Sequence, residues 1–378
     1  MKKQVKAWLP DSGWSLRPLF GGMIAGLLAL MSVLPAQAGI IKENAAVTTP
    51  MDATGGTEQN PNVFLFNVYT NTFASFTVGS SNPWNELHIL GGSKITSTGA
   101  ANVGSNVGSD HSRILVLGTG SSLQVDGELR LGDRSVFNRI DVEDGGELII
   151  GSQSTIGYRA TVGLGNDCGF VVDDATVKVR NKLIIGYNAN NVRNYILVRN
   201  GGTLEIEDLS AARIVIGRQG STNDITLVGR DSRLLMGASA NNLSIPETPS
   251  TGHECTLTLI DAALARIDKN NSTAISVGTS GVGGNRVRFA AGFLAWNGDQ
   301  RASLNVLTQV SLWNGTAYVT PGSSEEATAL KWSARYYTVE EEAAALLATG
   351  YSGLGGYTVF TGGKSIAGAL KTTLVVVK

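Results

Sequence analysis

Three short stretches carry side chains suited to cleaving a glycosidic bond: Asp173–Asp174, Gly252-His253-Glu254 and Arg266-Ile267-Asp268. General acid and base groups that act on an acetal must flank it within ~10 Å. The run "GLGNDCGF" (163–170) matches part of a calcium-binding nonapeptide, whose ions are held between consecutive turns. Such sites work in tandem, and no second copy follows at nine or eighteen residues. His88, His111 and His253 fall in separate stretches without ligand-like spacing, so no metal site is expected. No Ser-His-Asp set, phosphate loop or dinucleotide fingerprint occurs. Whether the acidic stretches can cooperate depends on the backbone that positions them.

That backbone repeats. "VRNGGTLEIEDLSAARIVIG" (198–217) holds a glycine pair, a short apolar alternation, a second apolar run and an Ile-Gly stop. "VEDGGELIIGSQSTIG" from Val142 and "ILGGSKITSTGAANVG" from Ile89 are variants of it. Units begin near Asn85, Arg113, Arg139, Cys168, Tyr195, Asp224, Cys255 and Arg286, spaced 28, 26, 29, 27, 29, 31 and 31 residues apart. A regular period in this range marks a solenoid. One unit reads as three strands, Tyr195–Val198, Leu204–Ile206 and Ile214–Ile216, whose side chains alternate inward and outward. Gly, Asn and Asp fill the joints, where tight corners need positive φ.

Joints this short hold no crossover helix, so neighbouring strands in sequence cannot form a doubly wound sheet. Each strand pairs instead with its counterpart one coil later. The expected fold is all-β: a right-handed parallel β-helix over 61–322, with three short strands per ~27-residue coil. A propeller blade would need about 40 residues and four strands. A longer beat overlies the coil. The glycine-pair corners at Gly91, Gly145 and Gly201 lie 54 and 56 residues apart, and the alternate corners near Gly118, Asp173 and Gly229 lie 55 and 56 apart. This two-coil unit resembles the "NNxLxIxNGGxV…IG…NxVxVxGxGSxW" repeats of large secreted bacterial proteins of the autotransporter-passenger type. The resemblance covers roughly Asn85 to Asn285. It implies a secreted or surface-displayed solenoid without the outer-membrane barrel, and it transfers no catalytic residue.

The fold then bears on the acidic stretches. Polygalacturonase-type enzymes share this architecture and use clustered Asp, a His and a basic residue. Coils stack at ~4.8 Å, and His253 lies about three coils beyond Asp173, roughly 14 Å along the axis. Asp173–Asp174 also occupy the corner where sister units carry Gly-Thr-Gly or Gly-Arg-Asp, which predicts a turn role. No catalytic, cofactor-binding or metal-binding residue is assigned. The same arithmetic separates Cys168 from Cys255, three coils apart in equivalent places. Their ~14 Å exceeds the ~7 Å limit of a disulfide, so two free thiols are expected. The register predicts Leu123, Val125, Val177, Val179, Leu204 and Ile206 inside. It also stacks Lys178 with Glu205 and Arg180 with Glu207 on the outside, each pair 27 residues apart.

Both ends differ from the repeat. A basic stretch (Lys2, Lys3, Lys6, Arg17), the apolar run Met23–Pro35 and "AQA" at 36–38 predict a signal peptide over 1–38. A flexible segment is expected over 39–60. Residues 323–378 read as an α+β module that caps the solenoid. Its helix is expected near 339–349, with Thr338 and Glu341 as capping box and Gly350 as stop. The aromatic residues of this end, Trp296, Trp313, Trp332, Tyr336, Tyr337, Tyr351, Tyr357 and Phe360, suit that cap better than a carbohydrate platform.

Thirty basic and 31 acidic residues nearly balance, which argues against a nucleic-acid partner. Charged residues make up 16% of the chain, against about 25% in ordinary domains, and there are 47 glycines. The expectation is an exported, non-catalytic structural or adhesive β-solenoid at the cell surface, in the medium or in the periplasm. It needs no cofactor, has no transmembrane segment in the mature chain, and has envelope components or polysaccharide as partner; its oligomeric state is left open. A carbohydrate-active β-helix enzyme, a polysaccharide lyase or glycoside hydrolase, is the alternative. That reading requires a column of ionisable residues on adjacent coils of one strand, and the sequence displays polar ladders but no such acidic column.

Overall fold

The computed structural model describes residues 39–366, except 157–164, 189–190, 208, 211, 241, 247–253 and 279–283. The expected leader over 1–38 and His253 therefore lie outside the described residues.

Alternating apolar residues and short joints produce the expected parallel β-helix. The chain visits three sheets in turn, and each strand pairs with the equivalent strand of the next coil. The first sheet has 12 strands, from Gly39–Glu43 to Tyr318–Val319, the second has 11 and the third has eight. Eight successive coils, from Asn62–Asn67 to Ile275–Val277, contribute one strand to every sheet. Pairing is residue for residue: Arg139 faces Arg113 and Gly169 on its two sides, and Val177 faces Leu148 and Leu204. Five of the six residues expected inside are fully buried, and Ile206 is 1% exposed. They belong to one continuous aliphatic core. Two unit starts differ by one residue, because the first-sheet strands begin at Gly169 and Thr256 rather than at the preceding cysteines.

The cysteines belong to a column that stabilises the corners. At the start of the first-sheet strands stand Asn62 and Asn85, each the first residue of its strand, and their counterparts Ser112, Asn138, Cys168, Asn194, Asn223, Cys255 and Asn285, each just before one, nearly all fully buried. An asparagine of one coil accepts the backbone N–H of the coil before. Asn138 Oδ1 takes Ser112 N (2.8 Å), Asn194 takes Cys168 N (3.0 Å), Asn223 takes Asn194 N (3.0 Å) and Asn285 takes Cys255 N (2.9 Å). Each bond satisfies a buried donor that the turn leaves without a strand partner. Both thiols are buried and neither is in a disulfide. Burial pushes Cys168 up to about 12 and Cys255 up to about 11, so neither is a reactive thiolate.

Outside, Arg180 Nε reaches Glu207 at 3.2 Å as expected. Lys178 stands in register with Glu205, but its ammonium turns back to Glu147 at 2.9 Å. Its flexible stem can reach either carboxylate, and register alone does not choose between them.

The ends also carry structure. Residues 39–60, expected to lead in flexibly, begin with a strand paired to Asn62–Asn67, and Val47 and Met51 enter the core. At the other end Ser333–Tyr336 and Tyr357–Thr361 extend the second sheet as antiparallel strands. Phe360 and Trp332 pack against Trp296 and Phe289 at the end of the core. The helical run opens as a 3-10 turn, Val339–Glu341, and continues as the α-helix Glu342–Thr349, with the Thr338–Glu341 capping box and Gly350 at φ 81°. This helix lies with Tyr337, Tyr351 and Leu354 against Leu264 and Ala295 of the second sheet, forming a second small core. No helix among the described residues is long and apolar enough to cross a membrane.

Candidate functional site on the first sheet

The outward positions of the first sheet gather ionisable groups from neighbouring coils. Arg113 lies at the centre. Its Nε donates to the Asp141 carboxylate in a very short contact, Nη1 lies 3.8 Å from Glu86 and Nη2 lies 4.0 Å from Glu143. Arg139 Nε lies 2.8 Å from the same Asp141 carboxylate. His88 Nε2 is 2.6 Å from Glu86. One strand further, Asp173 stands in register with Glu143 and holds Arg199 at 2.7 Å. The Tyr195 ring fills the space above Gly169, and its phenol lies near Arg139.

Asp141 is the least expected member. Its side chain is fully buried, yet its register neighbours Leu115 and Val171 show that apolar residues serve at this position. Desolvating an ion pair there offers no more stability than an aliphatic residue would. What Asp141 supplies is orientation, because it fixes two guanidiniums that the neighbouring carboxylates then surround.

The flanking carboxyls respond in opposite directions. Burial opposes the charge of Glu86, but the His88 hydrogen bond and Arg113 outweigh it and hold the carboxyl below its ordinary value. Burial, then the charge of Asp141, push Glu143 above its ordinary value despite Arg113. Arg139 is raised: burial works against its charge, and Asp141 more than compensates.

Beside this cluster, three rings form a stack along the solenoid axis. His111 lies 4.0 Å from Trp84 and 4.9 Å from Phe137, with interplanar angles of 4° and 11°. All three have φ between 57° and 59°. Left-handed backbone costs about 1–2 kcal/mol per L-residue, and a ring pair returns about 0.5–1.5 kcal/mol. Stacked face to face, the rings cover both faces of His111, while Phe137 at the end of the stack stays 47% exposed. The stack stiffens the rim of the cluster. Burial also lowers the His111 imidazole, against the pull of Asp110 and Glu58.

The sequence-singled residues scatter. Asp174 is the corner, at φ 47°, whereas Asp173 belongs to the strand Gly169–Asp173 and to the ionic face. Arg266 and Asp268 pair with each other at 2.6 Å on the second sheet, on a different wall. Glu254 is a left-handed corner residue at φ 55°. Within "GLGNDCGF", Asp167 pairs with Arg193 at 2.6 Å and Asn166 accepts Val192 N at 2.9 Å, both turn-stabilising contacts. His88 and His111 occupy different columns, and no group of three metal-ligating side chains forms among the described residues.

The ionic face itself escaped the sequence reading. A usable signal existed, since Arg113 and Arg139 are unit starts and Glu86 follows one. Writing the units under one another, with the first shifted by one residue so that Asn85 falls under Ser112, places these three in one column. Comparison with known protein families, with curated proteins and with solved structures returned no match.

Proposed function

We propose that the chain is an exported, non-catalytic solenoid of the cell surface or its surroundings, and that the outer face of its first sheet contacts polysaccharide. The buried Asp141, holding Arg113 and Arg139 where sister coils use Leu115 and Val171, carries this reading. Oriented guanidiniums and carboxylates are suited to bidentate hydrogen bonds with sugar hydroxyls. Glu86 and Asp141 are each held by guanidinium or imidazole partners, which fits retention of a ligand better than turnover. The test is a glycan array and a depolymerisation screen on the purified chain, with Arg139→Ala beside the parent. Binding that weakens in the variant without product release is the expected outcome. Release of oligosaccharide overturns the non-catalytic role.

A second reading, a carbohydrate-active enzyme, draws on one observation. Glu86 is pushed below and Glu143 above its ordinary carboxyl value on either side of Arg113. Carboxyls driven apart in this way suit base and acid roles. Under that reading Glu143→Gln abolishes product release while leaving binding intact.

A further inference from the structure

The C-terminal end of the same face is built differently. Arg286 and Arg288 both project outward from the strand Arg286–Ala290. Their register neighbours are hydroxyls: Thr256 and Thr258 on one side, Ser311 on the other. Tyr318 and Thr320 arrive on the last, antiparallel strand and the residue after it. Arg286 Nε donates to Thr320 Oγ1 at 3.3 Å, its Nη1 to the Asn285 carbonyl at 2.7 Å, and the Ser311 and Thr320 hydroxyls bond at 3.0 Å.

No carboxylate among the described residues is bonded to this group. Among the described residues neither guanidinium has a carboxylate partner, in contrast to Arg113, Arg139 and Arg199 on the same sheet. Two buried donors also stay unused: Arg288 Nε and the Tyr318 hydroxyl have no hydrogen-bond partner. They belong to one spot, for the Arg288 guanidinium lies 5.5 Å from the Tyr318 ring centre. The acids felt there are Asp224, which senses Arg288, and Asp261, which senses Tyr318 and already accepts from Ile366 N at 2.9 Å.

Two like charges side by side and two orphaned donors each carry a cost. An oxyanion supplies both the missing charge and the missing acceptors, and a guanidinium beside hydroxyls suits its geometry. We propose that Arg286, Arg288 and Tyr318, with Thr256, Thr258 and Ser311 around them, form an oxyanion-binding site for the sulfate or carboxylate groups of an acidic polysaccharide. The polysaccharide as bearer rests on the function proposed above. The oxyanion site rests on the arginines alone.

The test uses the full chain, Arg288→Gln and the double variant Arg286→Gln/Arg288→Gln, whose fold is checked by circular dichroism. Unfolding midpoints are compared in sodium sulfate and in sodium chloride at matched ionic strength. Sulfate is expected to raise the midpoint of the parent and to leave the double variant unmoved. Equal shifts in both proteins, or none in the parent, overturn the site. Titration calorimetry with dextran sulfate, polygalacturonate and neutral dextran then identifies the bearer. Dextran sulfate and polygalacturonate separate sulfate from carboxylate, and the preferred one is expected to bind Arg288→Gln about tenfold more weakly, with neutral dextran silent. A polyanion bound equally by parent and double variant overturns the site while sparing the polysaccharide reading. Sulfate stabilisation without binding of any polymer sustains the oxyanion site and removes its polysaccharide bearer.

Discussion

Two ends of one sheet present the same backbone and opposite electrostatics. Near the N-terminal end Arg113 and Arg139 are locked to Asp141 and ringed by Glu86 and Glu143. Near the C-terminal end Arg286 occupies the same strand position as Arg139 and faces the Thr256 and Thr320 hydroxyls instead, while Arg288 beside it faces Thr258, Ser311 and the Tyr318 ring. The coil decides which residues share a column; it does not decide how their charges are balanced. The first cluster is complete within the chain, so a ligand meets fixed hydrogen-bonding groups with little net charge. The second has unbalanced charge, which gives longer reach and stronger salt dependence.

The largest expected effect comes from breaking the self-neutralised end. Asp141→Asn leaves Arg113 with carboxylates only at 3.8 and 4.0 Å and removes the acid bonded to Arg139. Removing one partner of a buried ionic group costs about 3 kcal/mol. Urea unfolding should show the loss as a lower midpoint with an unchanged slope. A cost no larger than that of an ordinary surface substitution would mean the cluster is solvated, and the contrast between the two ends would collapse.

Asp224 lies between the two regions. Burial raises its carboxyl from 3.8 to about 6, against a hydrogen bond from Thr226 and the charge of Arg288. A value raised on folding makes a contribution fully present below the unfolded value and lost as pH rises through the folded one. Stability should therefore fall between pH 4 and pH 7 on this account, by about 3 kcal/mol. Asp224→Asn is expected to flatten that stretch of the profile and to stabilise the protein at pH 7.5. A pH profile that the substitution leaves unchanged would show that Asp224 is already compensated.

Most of the fold was legible because it rests on short-range chemistry. Period-two alternation placed Leu123, Val177 and Leu204 inside, and glycine corners set the coil length. Cys168 and Cys255 were separable by counting coils. The asparagine column was equally readable, since Asn85, Asn138, Asn194, Asn223 and Asn285 each stand at or just before a unit start. The ionic face was harder to see. An outward residue shows in sequence only that it avoids the core, whereas the burial of Asp141 depends on side chains from several coils converging. Lys178 gives the same lesson: register placed it opposite Glu205, and rotamer freedom carried its charge to Glu147.

The C-terminal arginines predict a smaller effect of opposite sign. Arg286 is lowered by burial first and by the charge of Arg288 second, the mark of a cation without compensation. Removing both charges relieves that repulsion, so Arg286→Gln/Arg288→Gln should gain about 1 kcal/mol in chloride buffer. Denaturant midpoints measured without oxyanions check this. A loss comparable to that of Asp141→Asn would show that the pair is structurally compensated after all.

The smallest effect calibrates the others. Lys178 and Glu147 pair at 2.9 Å on the second sheet with both side chains 36% exposed, so solvent already competes for each charge. Its hydrogen bond to Glu147 raises the ammonium, against partial burial, but an exposed pair of this kind contributes only ~0.5 kcal/mol, screened further by salt. Lys178→Ala should move the urea midpoint barely beyond error, and that small shift should vanish in 0.5 M sodium chloride, a salt level at which the Debye length is only about 4 Å. Asp141→Asn should keep most of its cost under the same salt, because its partners are shielded by protein. If both variants responded alike to salt, the buried network would be an ordinary surface pairing, and the distinction between a charge cluster closed on itself and one left open would lose its physical basis.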